Sequence, residues 1–401
     1  MSTPITLQPA TPRIAFTALP PLALYVHIPW CLRKCPYCDF NSHEAKGEVP
    51  EHRYVDALIA DLEQALPLVW GRPVHSIFFG GGTPSLFAPE SLDRFLSAAR
   101  ALLPIEPDAE ITLEANPGTF EQAKFAAFRA LGINRLSIGI QSFDGGMLKS
   151  LGRVHDDREA HRAVEIAARN FDNFNLDLMY GLPGQTLAEA LADIDAALAF
   201  SPPHLSCYQL TIEANTAFAA RPPTLPDSDT CADMQDAIET RLAAAGYLHY
   251  ETSAFARPGR QCQHNLNYWQ FGDYLGIGAG AHSKLSFAHR VVRQVRYREP
   301  RLYMDQALAG EAITQENEVS RSDLPFEYML NALRLKDGFA LQDFSERTGL
   351  AVTSIQAALD AAERKGLIER DLAHVRPTAR GLDFLSDLQT LFLPASPSHA
   401  T

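Results

Sequence analysis

Short runs of alternating apolar and polar residues give way repeatedly, along this chain, to longer stretches with apolar residues at helical spacing. The strand-like runs are Leu22–His27, Val74–Phe79, Glu110–Ala115, Asn134–Ile140, Asn173–Tyr180 and His204–Leu210. Between them, Tyr54–Val69, Pro89–Leu103, Phe120–Leu131, Arg158–Asn170 and Leu187–Phe200 carry the spacing of amphipathic helices. Strand and helix in regular alternation predict a parallel sheet covered by its own crossovers. Six such units fall short of the eight that close a full barrel, so the expected architecture is α/β, a partly open parallel (β/α)6 barrel.

The two faces of the strands differ in kind. Ile111, Leu113 and Ala115 alternate with Thr112, Glu114 and Asn116; Leu136, Ile138 and Ile140 alternate with Arg135, Ser137, Gly139 and Gln141. Phe174, Leu176 and Leu178 alternate with Asn173, Asn175 and Asp177. Neighbouring side chains point to opposite faces, so the apolar set meets the helices and the polar set faces inward. A filled barrel has Val, Ile and Leu inside. This pattern predicts a polar cavity, with an open sheet and one solvated face as the competing reading.

After a loop over 213–229, helical pattern resumes to Ala245, and Leu248–Phe255 reads as one further strand. From about Leu324 the pattern is helical, with Gln356–Lys365 as a helix, Leu367–Arg370 and His374–Pro377 as a hairpin, and Thr378–Leu393 as a closing helix. The chain therefore divides into a disordered lead-in over 1–20, a partial barrel over 21–255, a connecting segment over 256–320, and a mainly helical, winged-helix-like domain over 321–395. Asp360 and Glu363 sit on the helix that would read DNA, where phosphate would repel them. That makes the last domain an interaction or packing module.

Composition narrows the function classes. The formal charge of −13 over 401 residues argues against grip on nucleic acid and against attraction to an anionic membrane. No apolar run approaches the roughly eighteen residues of a membrane helix, and the Pro/Thr-rich start lacks a signal-peptide core. Six cysteines, three of them clustered, fit a reducing cytoplasm better than a disulfide framework.

Those three carry the candidate chemistry. Cys31, Cys35 and Cys38 follow the first strand in Tyr25-Val-His-Ile-Pro-Trp-Cys31-Leu-Arg-Lys-Cys35-Pro-Tyr-Cys38. Zinc sites usually offer two separated Cys/His pairs, and three thiols cannot pair off as disulfides. An odd count of three fits a [4Fe-4S] cube with one iron left open to a ligand from outside the chain. Gly80-Gly-Gly-Thr-Pro84 ends the second strand, where glycines let backbone N–H groups approach a carboxylate or phosphate. Further on come Cys262-Gln-His264-Asn-Leu-Asn-Tyr268-Trp269 and Gly276-Ile-Gly-Ala-Gly-Ala-His282. A histidine beside a Tyr-Trp pair suits a haem iron, or is simply a hydrogen-bonded turn residue.

From Tyr25 almost to Leu393 the chain resembles the radical S-adenosylmethionine (SAM) family of coproporphyrinogen-oxidase-like proteins. His27-Ile-Pro-x-Cys31, Gly80-Gly-Gly-Thr-Pro-Ser85, Ser137-Ile-Gly-x-Gln141-Ser-Phe143, Leu151-Gly-Arg-x-His155 and Tyr180-Gly-Leu-Pro-Gly184 carry the resemblance in order. It implies that Cys31, Cys35 and Cys38 hold the cluster and that SAM chelates the open iron. It also implies that Tyr25, Gly81, Gly82, Thr83, Glu114, Gln141, Arg153 and Asp177 hold SAM. The oxidases of the family carry a fourth cysteine two places after the third; here that position is Phe40. The branch without it, with His-Asn-x-x-Tyr-Trp further on, consists of haem chaperones.

That branch implies haem ligation by His264, with Cys262 and His282 as rivals, and hand-over of haem to an acceptor haemoprotein. The competing expectation is an enzyme, an oxygen-independent coproporphyrinogen III oxidase removing propionate carboxyls through a 5'-deoxyadenosyl radical. The chaperone reading assigns no catalytic residue, and leaves a homodimer and peripheral membrane contact open.

Overall fold

The computed structural model describes residues 14–118 and 122–394. Twelve strands form one sheet: β1 (Leu22–Ile28), β2 (Val74–Gly81), β3 (Ile105–Ala115), β4 (Arg135–Gln141), β5 (Phe174–Tyr180), β6 (His204–Gln209), β7 (Leu248–Glu251), β8 (Ala254–Ala256), β9 (Asp273–Ile277), β10 (His282–Phe287), β11 (Arg290–Arg296) and β12 (Ile313–Glu318). All six strands read from the sequence are present, and they pair in parallel from β1 to β6 in chain order. The helices between them match too, with Glu51–Val69, Pro89–Leu102, Asp157–Asn170 and Leu187–Ala199 within a few residues of expectation. Of the helix expected over 120–131, Phe125–Ala130 is described. Capping boxes at Asp156/Glu159 and Thr186/Glu189 fix where two of these helices begin.

The sheet continues past the six strands at both ends. β9 adds in parallel to the free edge of β1, and β10, β11 and β12 follow it antiparallel. On the other side β8 and β7 add antiparallel to β6. Both edges of β1 are thus occupied, and β6 does not close onto it. The barrel stays open. Residues 256–320, expected as a connecting segment, supply four of these strands. The single strand expected over Leu248–Phe255 is two, folded back on each other at Thr252 and Ser253.

The apolar set of each strand lies where alternation put it. Ile111, Leu113, Leu136, Ile138, Ile140, Leu176 and Leu178 join Phe95, Leu96, Phe128, Val164 and Ile194 of the helices in one core. Each fully buried side chain of this kind contributes about 1.5–3 kcal/mol. A second core unites the C-terminal helices with Phe271, Val291 and Val319 from the sheet region. Its hairpin pairs Ile368–Arg370 with His374–Pro377, while the expected closing helix is two, Ala379–Asp383 and Leu385–Thr390. Arg370 lies across the preceding helix and pairs with both Asp360 and Glu363.

The described part of the lead-in expected as disordered over 1–20 is ordered. Residues 1–13 lie outside the described chain, but Ile14 is buried in the second core, and Ala15 and Phe16 donate backbone hydrogen bonds to Gly349 and Ala288. Two apolar side chains with a surface to cover outweigh the disorder-prone composition around them. No helix among the described residues is long and apolar enough to cross a membrane.

Buried charge braces the junction of β1, β9 and the first helix. Asp61, on that helix, accepts from Arg296 Nε at 3.3 Å, the Tyr303 hydroxyl at 2.9 Å and the Gly278 amide at 3.3 Å. Arg296 Nη1 also donates to Ser283 and Gln294. Nearby, Asp273 binds Lys284, Arg72 and Ser286.

Candidate functional site

The inward polar face of the strands lines a cavity of about 430 Å3 at their C-terminal ends. Around it stand Cys31, Cys35 and Cys38, then Gly81, Gly82, Thr83, Glu114, Asn116, Ser137, Gly139, Gln141, Arg153 and Asp177. Asn116 stands among them although the sequence did not assign it to the site.

 Of the twelve residues expected for cluster, SAM and haem, ten line the cavity itself: the three cysteines, Gly81, Gly82, Thr83, Glu114, Gln141, Arg153 and Asp177. Tyr25 stands just behind the wall, its ring beside Gly80 and its hydroxyl on His27 Nδ1 at 3.0 Å. His264 lies apart.

The backbone is shaped for this wall. Gly81 has φ +117°, and a side chain there would run into the His27 ring. Its amide donates to Glu114 Oε2 at 3.1 Å. Gln141 ends β4 at φ +68°, a left-handed conformation that costs a non-glycine residue on the order of 1 kcal/mol or more and that turns the chain at the cavity. Asn116 ties two walls together: its Nδ2 donates to Thr83 Oγ1 at 2.7 Å, and its Oδ1 accepts from Arg153 Nη2 at 2.7 Å. Membership of the alternating polar set on the third strand was the signal for Asn116. Arg153 Nη2 also donates to the Gly139 carbonyl, and Nη1 reaches Cys35 Sγ at 3.5 Å.

Electrostatics follow from burial. The Cys31 thiol is pushed up to about 11, by burial first and then by Cys38 and Cys35. Three neighbouring thiolates resist forming together unless a cation offsets them, which is the condition of a metal-sulfur site. Among the described residues, no group of three or more His, Cys, Asp or Glu side chains converges as a single-ion site does. The thiols instead border a shared space with polar groups opposite, and this donor set fits a multi-iron cluster with a polar organic ligand.

Glu114 is raised to about 8, by burial and then by Asp177, against the pull of the Gly81 amide. Asp177 is also raised by burial, while Asn175 and Ser137 hydrogen-bond its carboxylate and pull the other way. Folded Glu114 therefore keeps a proton that the unfolded chain releases near 4.5. The stability it lends is complete below that pH and is lost as pH rises through about 8. Urea unfolding of the cofactor-free protein should show a loss of stability from pH 5 to pH 9 that Glu114→Gln substantially flattens. An equal loss in both proteins would contradict the assignment.

His264, the second residue of the helix Gln263–Trp269, packs against the sheet and is 8% exposed. Its Nδ1 lies 3.3 Å from Ser76 Oγ, and its ring packs tilted against Phe78, the ring centroids 5.0 Å apart. Burial, then His75 and Arg135, lower its pKa to about 3. The ring is neutral, but enclosed. Tyr268 and Trp269, expected to cover a porphyrin beside it, turn elsewhere: Tyr268 packs on Tyr274, and Arg334 lies over Trp269.

Comparison with known proteins adds three findings. Residues 25–197 match the Radical SAM superfamily and residues 319–384 the HemN C-terminal domain. The chain is 49% identical over 377 residues to the haem chaperone HemW of Escherichia coli (strain K12), covering 94% of this chain and 99% of that one. It is 47% identical over 381 residues to HemW of Haemophilus influenzae, covering 94% and 98%. A solved structure of coproporphyrinogen III oxidase (HemN) from Escherichia coli superposes with a TM-score of 0.79 at 24% identity, over 93% of this chain and 90% of that one. The radical SAM domain implies a [4Fe-4S] cluster and SAM.

Proposed function

Because the chain belongs to the HemW haem-chaperone family of radical SAM proteins, we propose that it binds haem and passes it to an acceptor haemoprotein. In this reading Cys31, Cys35 and Cys38 hold the cluster. Tyr25, Gly81, Gly82, Thr83, Glu114, Gln141, Arg153 and Asp177 hold SAM, with the Glu114 and Asp177 carboxyls as acceptors for its amine or ribose hydroxyls. When bound, the two supply a redox-active centre that gates or regulates the carrier. The chain's own part is to orient and exclude. Asn116 and the Gly139 carbonyl hold Arg153 in place, Asn175 and Ser137 hold Asp177, and the Gly81 amide holds Glu114.

The observation that carries the chaperone over the oxidase is Phe40. It lies at the cavity mouth, 61% exposed, at the position where the oxidases of the family carry a further cysteine. An apolar ring cannot replace a thiol in redox or radical chemistry, whereas it suits the face of an apolar macrocycle. Anaerobic reconstitution, then haem titration and product analysis on one preparation, tests the reading. The expected result is saturable haem binding, with no protoporphyrinogen formed from coproporphyrinogen in the presence of SAM and a reductant. Steady decarboxylation in that assay would make the protein an oxidase.

A further inference from the structure

Resting on the assignment of Gln141 and Arg153 to SAM, we propose that His155 is a positioning residue of the SAM site, gripping the bulge at the end of β4 and so setting Gln141 from behind the cavity wall. The sheet ladder shows why a grip is needed there. Pairing of β4 with β3 runs as far as Ala115 opposite Ile138. Pairing with β5 slips between Ile138 and Gln141, where three steps along β4 answer two from Leu176 to Leu178. One extra residue of this kind bends a strand and takes its polar groups out of the ladder. Gly139 and Ile140 are the residues in the slip, and side chains outside the sheet take up both of their carbonyls.

Arg153 Nη2 donates to the Gly139 carbonyl at 2.7 Å, and His155 Nε2 lies 3.2 Å from the Ile140 carbonyl. A carbonyl only accepts, so Nε2 carries the proton. Two residues in Arg-x-His order thus meet two successive carbonyls, to different ends. Arg153 reaches on to Asn116 and Cys35 inside the cavity. His155, 4% exposed, stands outside the cavity wall, and its link to the site runs through the backbone of β4. The Gln141 amide lies over Gly139, where a Cβ would come 3.0 Å from Gln141 Nε2 and 3.4 Å from Arg153 Nη2. Holding the bulge therefore holds both side chains. Burial, then Arg153, lower the His155 pKa to about 3, against the bond to Ile140 and the charge of Asp156, so the ring is neutral and its grip needs no charge.

The segment that carries His155 is itself anchored at both ends. Gly152, at φ +66°, abuts the cysteine loop, and a Cβ there would lie 2.9 Å from Pro36 Cδ. Asp156 caps the helix Asp157–Asn170 through its capping box with Glu159. Beyond Gln141 the chain is tied down as well: Asp193 Oδ1 accepts from the Phe143 amide at 2.6 Å and Oδ2 from the Ser142 hydroxyl at 2.8 Å. Asp193 is buried on the helix Leu187–Ala199 that follows β5. A glutamine at φ +68° persists only where its surroundings over-determine it. His155 fixes the residue before Gln141, and Asp193 fixes the two after it.

The test uses the full chain, reconstituted anaerobically, as wild type, His155→Phe, His155→Asn, His155→Gln, Gln141→Ala and Asp177→Ala. SAM affinity is measured by equilibrium dialysis, alongside iron content and the change SAM makes in the EPR signal of the reduced cluster. His155→Phe should hold wild-type iron but bind SAM about tenfold more weakly or worse, because the Ile140 carbonyl loses its donor. His155→Asn, whose amide falls short of that carbonyl, should show the same loss. His155→Gln, which places an N–H where Nε2 stood, should restore both the affinity and the EPR change. Wild-type SAM affinity in the Phe and Asn variants would overturn the inference. So would an equal loss in all three variants without rescue by Gln, or a loss of iron in step with the loss of SAM, since either would make His155 a support of the fold alone. Unchanged affinity in both Gln141→Ala and Asp177→Ala would instead remove SAM from this wall, and the inference with it.

Discussion

Cys35→Ala protein, reconstituted anaerobically, should retain less than about a quarter of the iron of the wild type, which should hold about four irons per chain. Three thiolates are already the smallest protein ligand set for a cube, so a missing one cannot be made good from within the cavity. Cys35 is also the thiol within reach of Arg153, at 3.5 Å. Removing it leaves that guanidinium group facing an uncharged methyl. The remaining pair fares no better, since the raised pKa of Cys31 means that its thiolate depends on nearby positive charge to form. Cys231→Ala is the control. That cysteine is buried beside Gly181, outside the cavity wall, and its loss should leave iron content unchanged. Equal iron in wild type and Cys35→Ala would remove the cluster from this loop.

The second large effect is on stability. Asp61→Ala should lower the free energy of unfolding by about 3–5 kcal/mol, the usual cost of leaving one member of a buried ion pair without its partner. Arg296 is fully buried and Asp61 nearly so, and the carboxylate also accepts from Tyr303 and from the Gly278 amide. Water cannot readily replace it. Urea denaturation measures the loss, and Asp61→Ala combined with Arg296→Met should recover part of it, because the stranded charge is then gone. A loss below about 1 kcal/mol in the single variant would show that the pair is not what holds β9 and the first helix together. Since Gly278 opens the turn leading to His282, the same variant should also loosen that turn.

The part of the fold that depends on neighbours in sequence was legible in the sequence. Alternation at a period of two separated Leu113 and Ile138 from Glu114 and Ser137, because a strand sends successive side chains to opposite faces whatever it packs against. That local rule placed the core, and with it the polar wall of the cavity. Spacing grouped the three cysteines because a loop of eight residues cannot carry them far apart. The sheet edge was not legible. Whether β9 joins β1 depends on a pairing across some 250 residues, and β1 reads the same with that edge open or filled. Nor did composition show that Ile14 and Phe16 have a surface to cover, since that surface belongs to the C-terminal domain. The histidines make the same division. The sequence by itself offered two imidazoles, His264 beside a Tyr-Trp pair and His282 at the end of a glycine-rich motif. Only tertiary structure decided that one is sealed under a helix against Ser76 and Phe78 while the other opens to solvent, because accessibility is set by the elements that pack over a residue, and those come from distant parts of the chain.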